Sequence, residues 1–294
     1  MRGNGIVGFV LGLLIAVGVA YLLALVYLWA TQRSFVFRPG MGPLNLADSM
    51  VAAHMRAVTV TSPDGLTLQA WYAPAQPGRR TIAYFQGNAG TLADRHERVL
   101  AYLQHGFGVL LVGYRGYGGN PGSPTELGLY QDARGHLDWL TQQGIEGDAL
   151  VLYGESLGAA VAIQMATERK AAALALEAPF ASILHSARAR YPIFAFDWLI
   201  KDKFTSIEKI DKVNMPLFII HGARDGVTPM RFGRMLYDRA KQPKSSVWLP
   251  DAGHNDLARF GMAELVTTFL DGLPPLPAEA ALSHAKDTKS DHAQ

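Results

Sequence analysis

Short apolar runs recur along the chain at 81–85, 108–112, 149–153, 172–177, 216–220 and 246–249. Runs of this length without polar alternation read as strands covered on both faces. Between them lie stretches with apolar residues at helical spacing. The clearest is 125–142, where Leu129, Ala133, Leu137 and Leu140 form one stripe behind a Thr125-Glu126 cap. Further helices are expected at 92–105, 159–167 and 257–270. Strand and helix in alternation predict an α/β fold with a mostly parallel sheet and helices on both faces. Ahead of the first helix, 57–62 and 66–72 read as two strands joined by the turn Pro63-Asp64-Gly65. An antiparallel edge on the parallel sheet is the simplest arrangement for them.

Two segments depart from that rhythm. Residues 5–30 carry no charge and are dominated by Leu, Val, Ala, Ile, Gly and Phe. At 1.5 Å per residue, about 20 such residues cross a hydrocarbon core of roughly 30 Å. A cleaved signal peptide is the competing reading, but the run is long for one and no small-x-small pattern surrounds Leu28-Trp29-Ala30. Tyr21, Tyr27 and Trp29 suit an interfacial aromatic belt. Arg2 and the α-amine on one side balance Arg33 and Arg38 on the other, so orientation stays open. The second segment, 181–210, mixes Tyr191, Phe194, Phe196, Trp198 and Phe204 with basic residues and has no strand pattern. It is expected to be a small helical cap, with its aromatics either lining a pocket or packing on the sheet. The chain thus divides into an anchor (1–32), a Pro/Gly-punctuated connector without evident chemistry (33–55), a domain (56–272) and a tail expected to be disordered (273–294).

Composition narrows the chemistry. With 27 basic and 25 acidic residues among 294, the net charge is +2, and no basic stripe with interleaved aromatics appears. A nucleic-acid partner is therefore not expected. The absence of cysteine excludes disulfides, thiolate metal sites and a cysteine nucleophile. The glycine-dense loop 113–124 lacks both a Walker lysine and a Gly-x-Gly-x-x-Gly helix start, so it is read as a structural or pocket-edge loop.

Candidate chemistry centres on Gly154-Glu155-Ser156-Leu157-Gly158, at the junction of the strand 149–153 and the small-residue helix behind it. Such a junction is a nucleophile elbow: the glycines remove side chains that would collide, and the serine hydroxyl stands clear of the sheet. The helix start supplies the N–H of Leu157 as one oxyanion donor. A second is expected from the small-residue loop Gln86-Gly87-Asn88-Ala89-Gly90. A serine hydroxyl is a poor nucleophile until a neutral imidazole takes its proton, and the imidazole needs a carboxylate to orient it. Of the nine histidines, only His254 occupies a short loop between the last strand and the last helix. His221, at a strand end, reads as a structural histidine beneath the Asp225 loop; His284 and His292 fall in the tail. Asp225, just past a strand end, is the expected acid. Asp251 and Asp256 stand too near His254 in sequence, and Asp256 suits a helix cap. Ser156, Asp225 and His254 thus follow one another in serine-acid-histidine order, each on a loop after a strand.

On these motifs, QGNAG (86–90), RGYGGNPGSPTE (115–126), GESLGAAVA (154–162), EAPFAS (177–182), HGARDGVTP (221–229) and GHNDL (253–257), the chain resembles the α/β-hydrolase superfamily. Within it, the resemblance is to the membrane-anchored serine-hydrolase branch that includes protein depalmitoylases and related lipid-directed esterases. The resemblance spans about 55–270 and implies Ser156 as nucleophile, Asp225 as acid, His254 as base, and the N–H groups of Asn88 and Leu157 as the oxyanion hole. One departure is Gln86-Gly87 where the family usually has His-Gly; another is the absence of N-terminal cysteines, whose role a transmembrane helix takes over. The expected activity is hydrolysis of an acyl ester or thioester, lipid or lipidated substrates included, through an acyl-enzyme and without metal or organic cofactor. Two other readings stay open: a non-catalytic scaffold that keeps the fold, and a peptidase, for which no peptide-terminus site is evident.

Overall fold

The protein is described here by a computed structural model covering residues 2–42, 45–193 and 196–277. Eight strands form the central sheet: β1 (Arg56–Thr61), β2 (Thr67–Ala73), β3 (Thr81–Phe85), β4 (Gly108–Leu111), β5 (Gly147–Glu155), β6 (Ala171–Glu177), β7 (Leu217–Gly222) and β8 (Lys244–Leu249). Their spatial order is β8-β7-β6-β5-β3-β4-β2-β1. All neighbours are parallel except β1 with β2 and β2 with β4, so the expected antiparallel edge is present.

The near-continuous apolar strands follow from helices on both faces. Successive residues of β3 point to opposite sides. Ala83 and Phe85 join one core cluster with α3 (Glu126–Gln142) and α4 (Leu157–Glu168). Ile82 and Tyr84 join the other, with α2 (His96–Gln104) and α7 (Met262–Asp271), the helix that follows α6 (Met230–Arg239). Thr125 caps α3 as expected, its hydroxyl accepting the Gly128 N–H at 2.9 Å. The last helix is interrupted: a 3-10 turn (Leu257–Phe260) leads into α7 through Gly261 at φ 74°. Asp256 precedes that turn, but its carboxylate accepts the N–H of Gly253 at 2.6 Å and does not cap the helix.

The N-terminal helix, α1 (Arg2–Val36), runs four residues beyond the expected anchor end at 32. From Ile6 it is long and apolar enough to cross a membrane, with a mean hydropathy of 2.8 and only 6% of its apolar 18-residue stretch buried. The segment expected to be a bare connector carries packing: Phe37 lies in the core against Phe204, and Arg38–Pro39 pairs in parallel with Ala89–Gly90. Among its described residues the cap holds one helix longer than a single turn, α5 (Ile183–Arg190), followed by short 3-10 turns. Its aromatics divide: Phe204 is core, Tyr191 lines a cavity, and Phe196 stacks on an exposed Trp198. Phe194 lies outside the described residues, as do His284, His292 and the tail beyond Pro277. The tail's start is docked, since Leu273 packs on the core and the carbonyl of Pro274 accepts from Arg80.

Candidate active site

β5 ends at Glu155 and α4 begins at Leu157, so the chain reverses at a single residue. Ser156 takes φ 51°, ψ −109° to make that turn, a conformation that costs an L-residue of order 1–3 kcal/mol. Space dictates the flanking glycines. A Cβ at Gly158 would sit 2.0 Å from the carbonyl oxygen of Phe85, and one at Gly154 would sit 2.4 Å from the Cα of Ala159. The strain is held from beneath. The Ser156 N–H donates to the carbonyl of Glu177 at 2.8 Å, and buried ion pairs join Arg95 to Glu155 and Arg98 to Glu177. Burial alone would raise the Glu155 pKa; the two arginines outweigh it and hold the carboxyl below its ordinary value.

Three loops after three strands bring Ser156, His254 and Asp225 into one hydrogen-bonded chain. Ser156 Oγ lies 3.0 Å from His254 Nε2, and His254 Nδ1 lies 2.6 Å from Asp225 Oδ2. A carboxylate can only accept, so Nδ1 carries the proton and Nε2 is left to accept from the serine hydroxyl. Asp225 is itself fixed. Its Oδ1 accepts the N–H groups of Val227 at 2.8 Å and Thr228 at 2.7 Å, and the Thr228 hydroxyl lies 2.9 Å from Oδ2. Burial would push this carboxyl up, but hydrogen bonds from His221, His254 and the Thr228 backbone hold it well below the usual carboxylate range. His221 therefore does more than pack beneath the loop: its Nε2 is 3.2 Å from Asp225 Oδ2 and 2.8 Å from the carbonyl of Thr228. Asp251 is elsewhere, paired with Arg224 at the surface.

Ser156, Leu157 and Asn88 line one cavity of about 580 Å³. Asn88 is held on every side: its carbonyl accepts from the Arg38 N–H at 2.9 Å and the Tyr117 hydroxyl at 2.8 Å, and its amide donates to the carbonyl of Val36 at 3.0 Å. Gln86, which replaces the family's histidine, is fully buried, and its side-chain amide has no protein hydrogen-bond partner. Of the two roles expected for the glycine-dense loop 113–124, the structural one is seen: Arg115 bridges Asp64 at 2.8 Å and buried Asp132 at 2.7 Å. Among the described residues no group of three or more His, Asp or Glu side chains could hold a metal ion.

Two contributions went unnoticed in the sequence. Thr228, three residues after Asp225, braces the carboxylate. The end of α1 forms part of the cavity wall through Leu28, Gln32, Phe35 and Val36. A signal for the latter was present in Phe35-Val36-Phe37, an apolar continuation past Arg33.

Residues 87–212 match the Alpha/beta hydrolase family. The uncharacterized protein Rv2307c of Mycobacterium tuberculosis is 39% identical over 235 residues, 79% of this chain and 83% of that protein. The uncharacterized protein YfhR of Salmonella typhi is 28% identical over 233 residues, 73% of this chain and 79% of that one. Among solved structures, the Pyrococcus furiosus esterase Pf2001 superposes with a TM-score of 0.65 at 21% identity, covering 81% of this chain and 98% of that chain. An α/β hydrolase of Vibrio vulnificus gives 0.63 at 19% identity, covering 76% and 84%. With this sheet order, a strand-to-helix turn at Ser156 and a relative this similar over most of its length, the chain belongs to the α/β-hydrolase family.

Proposed function

We propose that the protein is a membrane-anchored serine hydrolase that cleaves a carboxylic ester or thioester through an acyl-enzyme on Ser156. The observation that carries this reading is the Ser156–His254–Asp225 hydrogen-bonded chain, with its serine strained and facing a cavity. His254 Nε2 takes the proton as Ser156 Oγ bonds to the acyl carbon, and Asp225 stabilises the imidazolium. The N–H groups of Leu157 and Asn88 receive the developing oxyanion, and loss of one such donor lowers turnover by roughly 10²–10³-fold. His254 then returns the proton to the leaving alcohol or thiol. Water, deprotonated by the same imidazole, releases the acid and restores the serine. The names of solved relatives such as the Pyrococcus furiosus esterase agree with ester chemistry.

Anchoring is supported by α1, whose apolar run is almost wholly exposed and so is no core helix. Retention of the helix is supported by contacts that a cut near Ala30 would remove: the Tyr21 hydroxyl donates to the carbonyl of Ile193, and Leu28 lines the cavity.

The test is hydrolysis of a short-chain p-nitrophenyl ester by the purified full chain. Turnover that falls by about 10⁴-fold or more in Ser156→Ala and in His254→Ala, with circular dichroism unchanged, supports the reading. Equal turnover in the wild type and Ser156→Ala, or none in a folded wild type, rejects it; the latter favours a scaffold.

A further inference from the structure

The roof over Ser156 comes from opposite ends of the sequence. One wall is the end of α1, with Leu28, Phe35 and Val36; the other is the cap, with Ile183, Tyr191 and Leu199. The two are fastened together. Gln32 Nε2 donates to the carbonyl of Leu199 at 2.9 Å, the N–H of Lys201 donates back to Gln32 Oε1 at 2.8 Å, and Arg33 Nε binds buried Asp202 at 2.7 Å. Further toward the N-terminus, the Tyr21 hydroxyl donates to the carbonyl of Ile193 at 2.6 Å.

That last contact ties the cap to the apolar run of α1. About 20 residues cross a hydrocarbon core of roughly 30 Å, and counted from Ile6 they end at Leu25. Tyr21 lies inside that limit, about 6 Å from it along the helix, and it holds Ile193 of the cap at the same level. The neighbouring cap surface is suited to that place: Ile193 is 65% exposed and Trp198 73%. Lys201 Nζ lies 3.7 Å from the Trp29 ring centroid, a cation and an aromatic together at the end of the apolar run. With the span counted from Ile6, Leu28 and Phe35 face a space whose outer edge would lie at the acyl-chain boundary of a bilayer. Charge completes the description. Arg38 and Arg190 line the cavity, and among the described residues no carboxylate does.

We propose that α1 is part of the substrate site as well as the anchor, and that the substrate is a phospholipid with an anionic headgroup drawn sideways from the bilayer between α1 and the cap. Its acyl chain runs along Leu28 and Phe35, its headgroup meets Arg38 and Arg190, and its ester carbonyl reaches Ser156. This rests on the serine-hydrolase reading above. Ser156 Oγ bonds to the acyl carbon as the ester C–O bond breaks. The lipid's oxygen leaves with the serine's proton, carried by His254, and water releases the fatty acid.

The experiment uses the full chain in nanodiscs of mixed phosphatidylglycerol and phosphatidylcholine, with released fatty acid measured by mass spectrometry. Hydrolysis of p-nitrophenyl butyrate and fluorophosphonate labelling of Ser156 are followed in parallel. Fatty acid release at least ten-fold faster from phosphatidylglycerol than from phosphatidylcholine is expected. Leu28→Trp, which fills the passage, should lower the ratio of phosphatidylglycerol to butyrate turnover at least ten-fold. Arg38→Gln with Arg190→Gln should remove the headgroup preference. Independently of any variant at the passage, brominated lipids should quench wild-type tryptophan fluorescence more than that of Trp198→Phe. Intact nanodisc lipids beside rapid butyrate turnover and labelled Ser156 would overturn lateral loading while leaving the serine chemistry standing. So would Trp198 fluorescence indifferent to bromine, or an acylated peptide in solution cleaved as fast as bilayer lipid. Loss of butyrate turnover and labelling together removes the serine reading itself.

Discussion

Ser156 with its partners beneath the cavity, and Leu28, Phe35 and Leu199 above it, bound the same space of about 580 Å³. Their positions are set by different means. Below, each functional side chain sits on a short loop directly after a strand of one rigid sheet, and its backbone is fixed within a few residues: glycines at 154 and 158, N–H donors at 227 and 228. Above, the walls meet across more than 160 residues of sequence, through contacts such as Gln32 with Leu199 and Arg33 with Asp202. The lower region is built for one geometry, as chemistry demands. The upper region is held by a few polar contacts between the end of the apolar N-terminal helix and the cap. On the proposed function, chemistry and substrate choice would occupy separable parts of the molecule.

The sharpest way to break that contrast is at the carboxylate. Asp225→Asn removes the acceptor that orients His254 and should lower kcat by about 10³–10⁴-fold on any ester, whatever its chain length, measured by steady-state kinetics. An effect confined to long-chain substrates would mean that the two regions are not separable. Next is Gly158→Ala. Its methyl would meet a backbone oxygen 2.0 Å away, so urea denaturation should show a loss of about 3 kcal/mol or more, or no folded protein.

Acid should attack the lower region first. The Glu155 and Asp225 carboxyls are held below their ordinary values of 4.5 and 3.8, so the unfolded chain binds protons in a range where the folded chain does not. Their contribution is fully present above about pH 4.5 and is lost as the pH falls below it, by roughly 2 kcal/mol or more in urea midpoints followed by tryptophan fluorescence. Smallest is Arg33→Ala. Asp202 keeps the Glu126 N–H at 2.8 Å but loses its cation, which should cost about 1–2 kcal/mol in the same assay and lower long-chain turnover more than short-chain turnover.

The same division explains what the sequence made legible. The strands, the antiparallel edge and the placement of 156, 225 and 254 rest on local patterns: apolar runs, a Gly-x-Ser-x-Gly junction, polar residues just past strand ends. His254 could be separated from the other histidines by its loop alone. The roof had no such mark. Nothing near Arg33 announces Asp202, and Phe35 reads as a helix residue like any other until the fold returns the cap to it. The cap itself was expected to be helical, yet one eight-residue helix is all that exceeds a single turn among its described residues, because Tyr191-Pro192 ends the periodicity. His221 was legible as buried but not as a partner of Asp225 and of the Thr228 carbonyl, since the loop that folds both back onto it closes only in three dimensions.

The central claim is a covalent one, and mass tests it directly. Full-length protein mixed with an activated short-chain acyl ester and quenched in acid within milliseconds should gain the mass of one acyl group in place of a proton. Peptide mapping should put that group on Ser156, and His254→Ala should not acquire it on the same timescale. A folded, turning-over wild type that gains no such mass, or carries it on another residue, would contradict the account.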